Sequence, residues 1–394
     1  MDVRIAYFGP DQSQGTVMKR IKSFMDLGWS LTGFTFKRAR SLGQFEPFWT
    51  NVSLGQIDNG RYLSRLGTLA RAVWRGVQAG RAIRDAQVIY ARNLDLALMA
   101  LALKALTGSR ARFCYEVNDI RGVLVRDTSG GAVARWFERR VLARCDWLVT
   151  SSPWFRSEYF EKRQGYRGRC MVLENKIYCP DPAAMRAARE QLAAAEPSGP
   201  VTIGWFGVLD CRETWGALLR LARRHGPKVR IYMRGYPEYI EDEFFAAVAE
   251  LDNMEFGGAF NNRTELPQMY ARTHLVCGFD FKEPGRNSAW LLPNSLYETG
   301  ALCRPLLALE GTATAEAMGQ GGWALSQPIA DSLDALIEGF DWAEWKAKVQ
   351  AMGRTPLERF AGQDQFLELT SALAREVAVR EPPPEAALAA ARPA

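Results

Sequence analysis

Short apolar runs alternate with amphipathic stretches along this chain in two successive series, and that alternation admits few folds. In the first series the run RIAYF at residues 4–8 halts at Gly9-Pro10, a polar loop follows, and a helix is predicted over 17–27, ended by Gly28. Strands are predicted over 29–36, 87–91, 113–117, 147–150 and 171–173, with helices over 94–106 and 132–143. Runs this short and continuously apolar suit strands covered on both faces, as in a parallel sheet. Residues 181–199 break the pattern. They are rich in Ala, Glu and Pro, contain Pro-Ser-Gly-Pro, and read as a linker, partly helical. A second series follows, with strands over 201–206, 229–233, 254–256, 275–279 and 305–308, and helices over 214–224, 241–250 and 266–271 and from 295. The expected fold class is α/β, with two doubly wound, Rossmann-like domains facing across a cleft, at 1–180 and 200–354. A C-terminal helix is expected within 355–380, and the Pro/Ala-rich tail 381–394 has the composition of a disordered segment.

Charge narrows the choice of partner. Residues 1–195 hold 31 Lys/Arg and 17 Asp/Glu, a net +14, and residues 196–394 hold 19 and 27, a net −8. A basic half of this kind suits a polyanion, namely an anionic membrane, a pyrophosphate-linked acceptor or a nucleic acid. The stretch 61–84 carries six Arg and no acidic residue. On a helix, Arg61, Arg65, Arg71 and Arg75 oppose the apolar positions Leu66, Leu69, Val73 and Val77, with Trp74 at the boundary. That composition suits a helix lying on anionic lipid; the alternative is a solvated helix whose apolar stripe packs in the core. No secretory leader is expected, because Asp2 and Arg4 interrupt the start. The longest apolar run, 94–106, is broken by Asp95 and Lys104 and is shorter than the roughly 18 residues that span a bilayer. Seven Cys without a CxxC pair, and two His far apart, give no zinc-ligand spacing.

Two segments carry most of the chemistry. The first is Asn287-Ser-Ala-Trp-Leu-Leu-Pro-Asn-Ser-Leu-Tyr-Glu298, followed by Gly300 and Pro305. It reads as a loop and a helix start, where backbone N–H groups attract phosphate oxygens. Glu298, one turn in, has the chemistry to accept both hydroxyls of a ribose, or it merely complements the helix dipole. The second is Ile203-Gly-Trp-Phe-Gly207-Val-Leu-Asp-Cys-Arg212, expected as a strand ending at Gly207 and a phosphate-cradling turn, with Arg212 neutralising a diphosphate. An ordinary βα turn with an exposed Arg is its alternative. At the C-terminal end of the strand 113–117, Asp119 and then Glu116 are candidate general bases, with Asp11 in the first loop as a third. Either of the first two serves equally well as a helix cap or a partner for Arg121. The loop Gly9–Gly15 contains Gln14 and Gly15, and Gly allows close approach of backbone to ligand.

In order and content these segments resemble the donor domain of GT-B glycosyltransferases, closest to bacterial exopolysaccharide-type enzymes allied to family 4. The resemblance is specific over about 203–212 and 287–305, and it covers most of the chain in layout. It implies that Glu298 holds the nucleotide ribose and that Asn294, Ser295, Leu296 and Tyr297 of the same run line the donor site. It further implies that the Arg234-Gly235 turn lies by the nucleotide, that Phe260 borders the base, and that the last helix crosses back to the first domain. Many relatives carry a second Glu where this chain has Trp290, so stereochemistry does not transfer. No Asp-x-Asp pair is present, and no obligatory metal or other cofactor is expected. The implied function is transfer of a sugar from a nucleotide-diphosphate donor, UDP-linked for preference. The implied acceptor is a lipid-linked or membrane-proximal glycan, reached from the cytoplasmic face of the plasma membrane as a peripheral protein. The rival readings are a polyanion- or nucleic-acid-binding protein, a non-catalytic scaffold of this fold, and a nucleotide-sugar epimerase. Nucleic acid is not expected as a partner, since aromatics do not interleave with the Arg run.

Overall fold

A computed structural model describes residues 3–38, 45–57, 71–238, 240–262 and 264–380. The chain divides into two compact units, residues 1–174 with 364–394, and 175–363. In the first unit the elements run β1 (Arg4–Gly9), α1 (Gly15–Asp26), β2 (Ser30–Arg38), β3 (Thr50–Ile57), α2 (71–78), α3 (Gly80–Arg84), β4 (Val88–Arg92), α4 (Asn93–Leu106), β5 (Arg112–Val117), α5 (Gly122–Val125), α6 (Ser129–Leu142), β6 (Trp147–Thr150), a π-helical segment (Phe155–Glu161) and β7 (Cys170–Val172). Its seven strands pair in the order β3-β2-β1-β4-β5-β6-β7, all parallel. The order reverses between β1 and β4, so the connections leave those two strands toward opposite faces. One face carries α1, whose Val17, Ile21 and Phe24 pack with Ile5 and Tyr7 of β1. On the other, α4 packs against β1, β4 and β5. The edge strand β3 is absent from the sequence-based expectation. Its residues TNVSLGQI are largely polar, as an edge permits, and Leu54 is fully buried.

The second unit runs α7 (Pro182–Ala194), β8 (Val201–Leu209), α8 (Arg212–His225), β9 (Val229–Pro237), α9 (Glu241–Glu250), β10 (Met254–Phe256), α10 (Leu266–Ala271), β11 (Leu275–Cys277), α11 (Asn287–Trp290), α12 (Asn294–Ala301), β12 (Leu306–Leu309), α13 (Ala313–Met318), β13 (Gly322–Leu325), α14 (Ile329–Glu338) and α15 (Trp342–Arg354). Six parallel strands take the order β10-β9-β8-β11-β12-β13, reversing between β8 and β11. Residues 181–199, read from sequence as a linker, include α7, and α7 belongs to this unit. Asp181 caps it by accepting from Ala184 N at 2.9 Å. Its Arg189, 5 % exposed, donates to the carbonyls of Gly300 (2.8 Å), Ala301 (3.3 Å) and Thr355 (2.6 Å) and to that of Met352. One buried guanidinium thus satisfies the carbonyls that two helix ends leave open. The last helix, α16 (Asp364–Arg380), is part of the first unit, and its Phe366, Leu369, Leu373 and Val377 join the core beneath α1.

Candidate functional site

Ligands of open parallel sheets bind beyond the C-terminal ends of the strands where the order reverses, because the diverging connections leave a crevice there. Each unit has one such point, and the sequence-predicted residues fall largely at them.

In the first unit the point lies between β1 and β4. After β1, Asp11 is buried and folds the loop on itself, its Oδ1 accepting from Ser13 N (3.0 Å) and Ser13 Oγ (2.9 Å). Gln12 ties the loop to the sheet, its N–H donating to Phe36 O at 3.0 Å and its amide to Phe45 O at 3.1 Å. Gln14 and Gly15 are exposed at the start of α1, where Gln14 is the N-cap residue without a side-chain cap. After β4, Asn93 takes φ +65°, a left-handed turn that Asn tolerates, and α4 starts there.

Glu116 is corrected as a candidate base. It is 1 % exposed, accepts from Arg20 Nη2 at 2.7 Å and Nε at 3.2 Å, and lies 3.3 Å from Arg92 Nε. Asn118, its amide oriented to satisfy both sides, donates to Glu116 at 3.2 Å and accepts from Arg92. Burial alone would raise the Glu116 pKa, but the two guanidinium groups hold it below the usual carboxylate value. A carboxylate so paired, with no route to solvent, neither reaches an acceptor nor takes its proton. It instead anchors the elements around the switch point, since Arg20 belongs to α1, Arg92 to β4 and Glu116 to β5. Arg92 extends the anchor to α1, donating to Thr16 Oγ1 at 3.2 Å. Asp119, by contrast, is exposed in the loop leaving β5.

In the second unit the strand expected to end near Gly207 continues to Leu209, and α8 starts at Arg212 rather than near 214. The two glycines explain the continuation. Gly207 (φ +109°) lies opposite Gly235 (φ +130°), and a Cβ on Gly235 would come within 1.8 Å of Gly207 O. Arg212 is exposed on the first turn of α8, 3.7 Å from Glu243. From the loop after β11, Lys282 reaches to 2.7 Å of Asp210 Oδ2, and Phe281 N donates to Cys211 Sγ at 3.4 Å. These contacts tie the two diverging connections of this unit together. Lys282 and Asp210 were not singled out from sequence; they stand out only once the strand order is known.

The segment leaving β11 returns as α12. Asn294, exposed at its first position, accepts from Asn175 Nδ2 at 2.8 Å, and Ser295 is half-buried. Leu296 and Tyr297, the next two positions of the run, are buried, at 5 % and 1 % exposed. Glu298 is also buried, and Tyr270 Oη of α10 donates to its Oε2 at 2.6 Å. Burial, then the Glu298 charge, pushes the Tyr270 hydroxyl well above its usual pKa, so it stays a donor. That bond holds one carboxylate oxygen in place. Gly300 is required by packing, since a Cβ there would come within 2.2 Å of the Phe360 ring. Arg234 clamps the loop that follows β10. It donates to Gly258 O (3.0 Å) and Ala259 O (2.6 Å) and pairs with Glu265 (2.8 Å). Phe260, half-buried, lies 6.0 Å from that guanidinium.

Arg61 and Arg65 lie outside the described residues. In α2, Ala72 and Gly76 face inward, while Trp74 and Val77 are exposed and Arg75 donates to Ser53 O at 3.2 Å. Val77 therefore is not on the packed face that the stripe 66-69-73-77 would place inward. Arg71 is exposed.

No protein-family model matches the chain. Over 318 residues it is 33 % identical to the succinoglycan biosynthesis protein ExoL of Rhizobium meliloti (strain 1021), covering 79 % of this chain and 78 % of that one. The chain belongs to the ExoL family. Among solved structures, Anabaena HepE in complex with UDP and glucose superposes with a TM-score of 0.64 at 17 % identity, covering 94 % of this chain and 99 % of HepE. Sucrose-phosphate synthase from Thermosynechococcus elongatus gives 0.68 at 14 % identity, covering 95 % and 99 %. At such identities the likeness is one of fold, and the fold of this ExoL relative is GT-B.

Proposed function

We propose that the chain is a glycosyltransferase of bacterial exopolysaccharide synthesis, transferring a sugar from a UDP-linked donor to a lipid-linked or membrane-proximal glycan. The observation that carries this reading is Glu298, a buried carboxylate on the helix of the Pro-Asn-Ser-Leu-Tyr-Glu run, held through one oxygen by Tyr270. The ExoL relationship and the UDP bound to HepE support the substrate class. Glu298 accepts the ribose hydroxyls, and the first turn of α12, with Asn294 and Ser295, supplies N–H groups toward phosphate. Arg212 and Lys282 offset charge on the leaving diphosphate as its bond to the sugar breaks. Asp119, with Asp11 second, removes the proton from the acceptor hydroxyl that forms the new glycosidic bond. No metal takes part, so turnover persists in a chelator. Among the described residues no helix is long and apolar enough to cross a membrane.

Calorimetric titration with UDP and GDP tests the reading. Wild type binds UDP in the micromolar range, and Glu298→Ala loses more than about tenfold, equivalent to about 1.4 kcal/mol. Absence of binding to either nucleotide, or undiminished binding by the variant, removes the donor site from this segment.

A further inference from the structure

We infer that the α4–α6 face of the first unit seats the protein on an anionic lipid bilayer. The inference rests on the membrane-proximal reading for its purpose, but its observations are independent of the donor site. Helices α2, α4 and α6 form one layer. A Cβ on Gly76 of α2 would meet Leu103 of α4 at 2.5 Å, and α4 packs against α6 on its other side. Between the C-terminal halves of α4 and α6 runs an open groove of about 860 Å³, its lining mainly apolar.

Helix α6 presents Val133, Trp136, Phe137, Arg140 and Arg144 outward at three-, four- and seven-residue spacing, while Glu138, Val141 and Leu142 face inward. Val133 is 56 % exposed, Trp136 47 % and Phe137 42 %. Three large apolar side chains on one exposed stripe are more than scattered surface exposure accounts for. The Arg140 guanidinium lies 4.7 Å from the Trp136 ring, so charge and aromatic surface leave the helix together. On α2, Trp74 is 60 % exposed.

Charge selects the occupant. Helices α2 and α4 add Arg71, Arg75 and Lys104 to the cations of α6, and the neighbouring α3 adds Arg81 and Arg84. The exposed acids here are paired, Asp85 with Arg81 (3.5 Å) and Arg84 (3.6 Å), and Asp95 with Arg121 (3.2 Å). Glu138 is buried, accepting from Tyr115 at 2.9 Å and from Tyr159. Lys104 and Arg140 also complement their helix dipoles, but the dipole gives no reason for Trp136 and Phe137 to face out. A second copy of the same face would bring cations against cations. Anionic lipid satisfies both features, with Trp136 and Phe137 at the headgroup boundary and Arg140, Arg144 and Lys104 among the phosphates.

The test is co-sedimentation of the full chain with vesicles of phosphatidylcholine alone and with one quarter phosphatidylglycerol. Wild type binds the anionic vesicles, and binding weakens with salt. The paired change Arg140→Glu with Arg144→Glu lowers partitioning more than about tenfold, at roughly fivefold per charge. Trp136→Ala with Phe137→Ala lowers it on its own. UDP binding, followed in parallel, is unchanged in every variant; loss of UDP binding by wild type refutes the donor-site reading and leaves the lipid result standing. Equal binding to both vesicle types overturns the inference. So does wild-type partitioning in the charge variants, which keep the interior intact, or a dimer that the aromatic variants dissociate.

Discussion

Glu298 and Glu116 are both buried carboxylates in parallel-sheet units, and their partners decide what each does. Tyr270 donates a neutral hydrogen bond to Glu298 at 2.6 Å. Removing that bond leaves the carboxylate in place but less constrained. Tyr270→Phe is therefore expected to weaken UDP binding about three- to tenfold, with the fold intact, as read by calorimetry beside a thermal melt. Glu116 is ion-paired with two guanidinium groups, at 2.7 and 3.3 Å. Glu116→Gln leaves two buried cations without a counter-charge, and a loss of about 3–5 kcal/mol of stability is expected in chemical denaturation. The Glu298 segment was legible in the sequence because its helix start, Gly300 and Pro305 are contiguous. The contrast between the two carboxylates was not. Arg20 lies 96 residues from Glu116, and Tyr270 lies 28 from Glu298 on a helix with no motif. A carboxylate at a strand end looks alike in sequence whether it is free to work or locked.

At the scale of elements, alternation located the interior strands and the edge strands β7 and β10, and missed the edges β3 and β13. Strands β3 and β13 each pair on one side only, so they need no continuous apolar run. Helix α7 was expected only as the helical part of a linker. Its composition resembles a linker, and what docks it is one residue, Arg189, bonded to carbonyls of α12 and to those ending α15. Arg189→Met keeps the aliphatic stem but abandons these carbonyls, and a loss of about 3 kcal/mol is expected from urea denaturation. The junction of β11 and α15 carries a pH dependence. Burial first, and then the Arg304 charge, lowers the His274 pKa from 6.5 to about 4. Its Nδ1 accepts from Thr202 N at 3.0 Å, which requires the neutral ring. The unfolded chain binds this proton near pH 6.5 and the folded one only near 4, so this contribution is present above 6.5 and declines as pH falls through that window. Its size, discounted for partial exposure, is on the order of 2 kcal/mol. His274→Asn should flatten the fall in melting temperature between pH 7 and 4.5 relative to wild type.

At the scale of the whole molecule, the chain leaves the first unit after residue 174 and returns to it at 364. The return is structural for that unit. Phe366 packs edge-on to Phe24 at 4.9 Å, and the Arg20 guanidinium lies 5.3 Å from the Phe366 ring, directly linking α16 to the anchor around Glu116. Glu376 accepts from Trp147 Nε1 at 2.8 Å and pairs with Arg112 at 3.3 Å and with Arg169. Four large apolar side chains of α16 enter the core, each worth about 1.5–3 kcal/mol, or roughly 6–12 kcal/mol together. A domain of this size is stable by about 5–15 kcal/mol. A fragment ending at residue 180, the boundary that the sequence suggests, therefore lacks burial comparable to its entire stability. It is expected to show no cooperative thermal transition and to bind a hydrophobic dye. Joining residues 364–380 to the same fragment through a flexible linker should restore the transition, because the returning helix, and not the second unit, supplies the missing core. A cooperative melt from the bare fragment would mean that α16 decorates a core already complete without it.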